Sequence, residues 1–140
     1  MHLSTSRWLF VAVLALWGCG EAADPVRYAT PAPKAQTRVS IPLTSVAVRE
    51  VSLPAYATEE GIAVASRSGA ISVTPDSLWA DDPTRAVTLR LTNALADITG
   101  RKIASDPWPF QSDPEAVVEV RLEEFVAEEA GRFVAEGRYY

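Results

Sequence analysis

The sequence predicts a single α/β domain, built on a mixed, largely antiparallel sheet with a helix packed on one face. Three observations predict it. Short runs carry Val and Ile at every second residue, and one stretch alone has helical spacing between a start and a stop signal. The length of 140 residues, 48% hydrophobic and 22% charged, suits one core rather than two.

At the N-terminus, Arg7 precedes an uninterrupted apolar run from Trp8 to Trp17. At ~1.5 Å per residue such a helix covers about half of a ~30 Å hydrocarbon core, so the run is the h-region of a signal peptide and not an anchor. Leu16-Trp17-Gly18-Cys19 follows, with an aliphatic residue, a variable one, a small one and a cysteine, the order of a bacterial lipobox. It sets a lipoprotein signal peptide at residues 1–18 and makes Cys19 the lipidation site. Two acyl chains on the sulfur and a third on the freed amine, at ~0.8 kcal/mol per buried methylene, hold stably where one chain is marginal. The competing reading is an ordinary secretory signal with Cys19 incidental. Residues 19–38, with Pro25, Pro31 and Pro33 among small and polar residues, form an extended tether, and Tyr28 is its first anchored residue. The domain proper is expected over 39–140.

Val46, Val48 and Val51 mark a first strand, closed by Pro54, which has no N–H for a ladder. Ile62 and Val64, then Ile71 and Val73, flank Ser66-Arg67-Ser68-Gly69 as a hairpin. Asp82 caps the one long helix, with Pro83 at its first position and Gly100 as its left-handed stop. Val87, Leu91, Ala94, Leu95 and Ile98 share the face expected to meet the core, and Leu89 points the other way. Arg101 to Ser105 is a further strand, so the segment from Ile71 onward is expected to be a right-handed β-α-β crossover.

The loop Asp106-Pro107-Trp108-Pro109-Phe110 is held extended by its prolines. Val118, Val120 and Leu122 alternate with charged residues as one half-buried strand, and Phe125 breaks the alternation, which places a bulge or an exchange of faces near Glu123 and Glu124. Glu128 to Arg132 is a turn, and Phe133 to Tyr140 returns beside it. One long helix gives this sheet little cover, so a further C-terminal piece beyond Tyr140 is expected.

Composition excludes several functions. With 13 Lys+Arg against 18 Asp+Glu and a net charge of −5, there is no basic excess for nucleic acid. The only histidine is His2 and the only cysteine is Cys19, so a chain starting at Cys19 has no imidazole and no second thiol. That removes Ser-His-Asp and Cys-His nucleophiles, a zinc site and a disulfide. Neither G-x-S-x-G, nor a Gly-rich phosphate loop, nor calcium-loop spacing occurs. A wall glycosidase would need paired carboxylates, and Glu123 with Glu124 or Glu128 with Glu129 are the candidates. Neighbours on a strand face opposite sides, however, so neither pair shares a site. No catalytic residue, metal or cofactor is therefore assigned. The candidate partner contacts are Trp108 and Phe110, an aromatic pair in an extended loop, and Leu89 on the outer side of the helix.

The lipobox at Cys19, Pro54-x-Tyr56 after the first strand, Leu78-Trp79-Ala80 leading into the helix, and Val118-x-Val120-x-Leu122-x-x-Phe125 before the last hairpin occur in that order. Over about Tyr28 to Tyr140 they resemble the ABC-type transport auxiliary lipoproteins. The resemblance implies a non-enzymatic α/β domain, lipid-anchored to the periplasmic face of the outer membrane. Its implied partner is an MCE-domain periplasmic protein, with a permease and an ATPase, that carries lipids between the two membranes. Gly20 in place of Asp after the lipidated cysteine agrees with sorting to the outer membrane. A homo-oligomeric ring around the conduit also fits the resemblance. A cell-envelope structural or peptidoglycan-binding lipoprotein is the alternative, and a cell-wall hydrolase is the enzymatic rival.

Overall fold

The computed structural model describes residues 24–31 and 37–140. The leader and Cys19 lie outside the described residues. In chain order the elements are β1 (Val26–Tyr28), β2 (Ser45–Val48), β3 (Gly61–Ala65), β4 (Ile71–Trp79), α1 (Pro83–Thr99), β5 (Lys102–Ser105), β6 (Ala116–Val118), β7 (Val120–Glu128) and β8 (Phe133–Tyr139). They form a five-stranded sheet in the order β1-β4-β3-β7-β8 and a three-stranded sheet in the order β5-β2-β6. The larger sheet is mixed. Its hairpins β3–β4 and β7–β8 are antiparallel, and its β1–β4 and β3–β7 pairs are parallel. The smaller sheet is parallel throughout.

The smaller sheet explains the sequence of β2. All four residues of Ser45-Val46-Ala47-Val48 are buried, as a central parallel strand covered on both faces requires. Val48 and Val51 are the largest fully buried side chains, so the core is built of small aliphatic groups with Phe125 and Val126 beside them. Pro54 ends this segment and opens a 3-10 turn at Ala55–Ala57, from which the Tyr56 hydroxyl accepts the Phe125 N–H at 3.3 Å.

The local signals act as expected in the hairpins and the helix. Gly69 turns β3 into β4 at φ 83°. Asp82 caps α1 by accepting the Arg85 N–H at 2.7 Å, Pro83 fills the first turn, and Gly100 closes it in the left-handed region at φ 65°. The bulge expected near Glu123 is present, as a register shift between Leu122 and Glu124. Pro75 lies within β4, where the β3 register jumps from Thr74 to Leu78 and asks no N–H of it.

Four expectations need correction. First, β4, α1 and β5 are not a crossover within one sheet, because β4 lies in the larger sheet and β5 pairs with β2 in the smaller one. Second, the alternating run from Val118 to Leu122 is two strands: the chain leaves the smaller sheet after Val118 and joins the larger at Val120. Alternation continues unchanged through Glu119, so periodicity does not register the change of sheet. Third, the buried residues of α1 are Pro83, Thr88 and Thr92, not the row from Val87 to Ile98. The Thr88 and Thr92 hydroxyls donate to the Thr84 and Thr88 carbonyls at 2.8 Å, which lets both side chains go inside. Fourth, Val26–Tyr28, within the expected tether, already pairs with Ser77–Trp79, so the folded unit begins ahead of residue 39.

Candidate functional site

Only Ala80, Asp81 and Asp82 separate β4 from α1, so the helix starts beside the end of its strand. Trp79 at that end meets Phe125 of β7 and Phe133 of β8, with ring centroids 5.9 and 6.0 Å away, and the two phenylalanines lie 4.8 Å apart edge to face. Opposite this aromatic floor stand Val87, Leu91 and Ala94, which share a helix face through spacings of four and three. Ala29, Thr30 and Pro31, leaving β1, form the third wall. These residues bound a groove of about 580 Å³ that is apolar over nearly its whole lining. Val87, Leu91 and Ala94 of the helical row expected in the core therefore line a groove between α1 and the larger sheet, while Leu95 and Ile98 lie outside it.

The polar residues of the groove's lining are Thr30 and Arg90. Arg90 lies in its wall and also in that of an adjoining hollow of about 420 Å³, bounded among others by Tyr28, Asp81, Arg85, Leu89 and Asn93. The Arg90 Nε–H donates to the Thr30 hydroxyl at 3.4 Å. Arg85 is paired with Asp81 one turn earlier, whereas among the described residues no carboxylate pairs with Arg90.

The contact residues singled out in the sequence do not share this site. Leu89, 38% exposed, lines the adjoining hollow. Trp108 and Phe110 pack on each other beyond β5, centroids 4.9 Å apart. Trp108 Nε1 donates to the Ser112 carbonyl at 2.7 Å, and the Lys102 ammonium sits 4.8 Å from the Phe110 ring. The loop is thus tied to its own chain while keeping Phe110 41% exposed. The paired glutamates are drawn into surface ion pairs, Glu123 with Arg138 at 3.1 Å and Glu128 with Arg132 at 2.8 Å.

Elsewhere two ionisable groups are displaced from their ordinary behaviour. The Thr44 hydroxyl and N–H both donate to the Glu115 carboxylate, at 2.5 and 2.9 Å, and hold its carboxyl below the usual glutamate range. The Glu119 carboxylate, hydrogen-bonded to Arg121 Nε at 2.6 Å, raises that guanidinium further. Among the described residues no group of three His, Cys, Asp or Glu side chains is placed to hold a metal ion, and no helix is long and apolar enough to cross a membrane.

The family model of the ABC-type transport auxiliary lipoprotein component matches residues 28–140, which takes in every strand from β2 onward, α1 and the whole groove. The chain belongs to the ABC-type transport auxiliary lipoprotein family. No curated protein matches it. Among solved structures, this auxiliary lipoprotein is similar to an uncharacterized protein at 15% identity and a TM-score of 0.55, covering 75% of this chain and 79% of that one. It is also similar to a DUF330 protein from Xanthomonas campestris, at 15% identity and a TM-score of 0.48, covering 84% of this chain and 74% of that one. The first likeness supports the fold alone. In the auxiliary lipoprotein fold the motifs behind the resemblance have structural roles: Trp79 floors the groove, Val118 and Val120 flank the change of sheet, and Phe125 is buried beside Trp79.

Proposed function

We propose that this auxiliary lipoprotein is a non-catalytic subunit of an MCE-type intermembrane lipid transport system, anchored by acylated Cys19 to the periplasmic face of the outer membrane. There it docks the periplasmic conduit protein, which works with a permease and an ATPase, and so supports membrane integrity. The supporting observation is the family match over residues 28–140, joined to a lipobox ending at Cys19. On this reading residues 1–18 are removed, the acyl chains on Cys19 hold the protein at the inner leaflet, and the segment up to β1 sets its reach. Confinement to one leaflet raises the effective concentration of docking partners, so a weak protein contact suffices. Trp108 and Phe110, and Leu89 on α1, are the contacts we assign to docking.

The anchor and the docking are tested separately. Cys19→Ser should move the protein from the membrane fraction to the soluble periplasm, and retention in the membrane would refute the anchor. The native lipoprotein should co-purify with an MCE-domain protein. Capture of peptidoglycan instead, or release of muropeptides by the purified protein, would replace the docking role with a structural or hydrolytic one.

A further inference from the structure

We propose that β8 is a dimerisation edge, along which a second copy of this chain pairs antiparallel about a two-fold axis at Gly137. The proposal stands apart from the anchor and the docking contacts assigned above. β8 closes the larger sheet at one end, and all its residues except Val134 are exposed. The Tyr140 N–H donates to the Glu119 carbonyl at 2.9 Å, the Tyr140 carbonyl accepts the Glu119 N–H at 3.1 Å, and the Arg132 carbonyl accepts the Glu128 N–H at 2.8 Å. The alternation of an antiparallel ladder then turns Val134, Glu136 and Arg138 toward β7, and the N–H and C=O groups of Phe133, Ala135, Gly137 and Tyr139 outward. No strand among the described residues receives these groups.

The other outer strands offer less. β1 and β6 have three residues each and β5 has four, against seven in β8. Edges that must stay single are commonly guarded by proline, by lysine or by a bulge in the edge strand itself. β8 contains neither proline nor lysine, and the bulge beside it lies on β7. Its two charges, Glu136 and Arg138, have opposite signs, so they choose a register instead of forbidding one.

Charge complementarity names the second copy as occupant. A two-fold antiparallel pair is defined by its central residue. Centred on Glu136 or on Arg138, two copies oppose like charges, and centred on Ala135 they oppose Arg138 to Arg132. Centred on Gly137, each Glu136 faces the other copy's Arg138, on both sides of the axis. Within one copy Glu136 stands opposite Glu124 and meets no cation among the described residues. Arg138 engages Glu123 through Nε, which leaves its terminal nitrogens for a second carboxylate. The same register sets Tyr139, 82% exposed, across from the other copy's Ala135, and Gly137 brings no side chain between the two rings. A foreign strand would need this order of small, acidic and basic residues, whereas a second copy already carries it.

The test uses the full chain in its host, with the variants Glu136→Cys and Arg138→Cys expressed separately and together. In the proposed pair these two positions lie about 4.5 Å apart at Cα, within disulfide reach, while each lies ~7–8 Å from its own counterpart in the other copy. Mild oxidation should yield a cross-linked dimer when both variants are present, and about tenfold less when either is alone. Mass spectrometry of the digest should place the link between the two β8 peptides and not at Cys19. In sedimentation of the purified chain in detergent, Glu136→Arg should weaken the dimer about tenfold, Arg138→Glu likewise, and the two together should restore it. Thermal unfolding separates this from misfolding, because Glu136→Arg removes the repulsion from Glu124 and should not lower the melting temperature. A dimer indifferent to charge reversal, equal cross-linking of the separate variants, or β8 cysteines that stay unlinked or link to another protein would each overturn the proposal.

Discussion

Glu115 shows how a fully exposed carboxylate contributes to folding. Thr44 stands just before β2 and Glu115 just before β6, and the two N–H and O–H donors of Thr44 fix the start of that parallel pair. Because hydrogen bonding lowers the carboxyl's pKa in the folded chain, its contribution is complete above the unfolded glutamate range and is lost as pH falls through the folded value. Glu115→Gln should therefore melt below wild type at neutral pH, and the two curves should converge in acid. A melting difference that stays constant with pH would contradict this account. At Gly137 the constraint is steric. A β-carbon there would run into the Arg121 carbonyl and come within 2.7 Å of the Leu122 Cα, opposite the bulge. The nearest atoms are all β7 backbone, with no flexible side chain to yield, so Gly137→Ala should cost about 1–3 kcal/mol in urea unfolding. The bulge itself is legible in the sequence, because Phe125 changes the parity of an otherwise regular run. The need for glycine across from it is not, since that depends on the partner strand.

At the scale of elements, α1 separates what local chemistry dictates from what packing dictates. Its ends follow from Asp82, Pro83 and Gly100, whose effects act within one turn, and so they are readable from the chain alone. Its orientation is not readable, because Thr88 and Thr92 count as polar in any periodicity while their hydroxyls are bonded back to the helix. Thr88 is also a fastener: its hydroxyl accepts the N–H of Val51, itself 1% exposed, at 2.9 Å. Thr88→Val keeps the shape but orphans that N–H, and thermal unfolding should show a loss of about 1–3 kcal/mol. Thr88→Ser retains the acceptor and should recover most of it. A larger loss in Thr88→Ser than in Thr88→Val would mean that methyl packing, not the hydrogen bond, holds the helix down.

Across the whole molecule, the sequence shows the α/β class, most strands other than β1 and the β6–β7 division, and the resemblance, whereas the groove is hidden in it. Trp79, Val87, Leu91, Phe125 and Phe133 come from four elements, and apolar spacing on α1 reads equally as core or as the wall of an open cleft. The helix packs on β5 and is fastened to Val51, and Val87 and Leu91 stay half-buried along the groove. The division into two sheets also predicts a pattern of amide exchange. β2, buried along its full length and flanked on both sides, should exchange slowest, and the outer strand β8, most of whose residues are exposed, should exchange far sooner. Faster exchange in β2 than in β8 would show that the smaller sheet is not the stable centre.

The passage from one sheet to the other at Glu119 is made by two neighbouring chain segments. Arg49 N–H reaches the Val118 carbonyl at 2.9 Å, Ser52 N–H the Val120 carbonyl at 3.0 Å, and Leu122 N–H the Ser52 carbonyl at 2.8 Å, so the segment after β2 accompanies the β6–β7 segment across. Two cross-bonded segments, rather than a single strand, therefore join the layers, and swinging one sheet against the other would have to break these three hydrogen bonds.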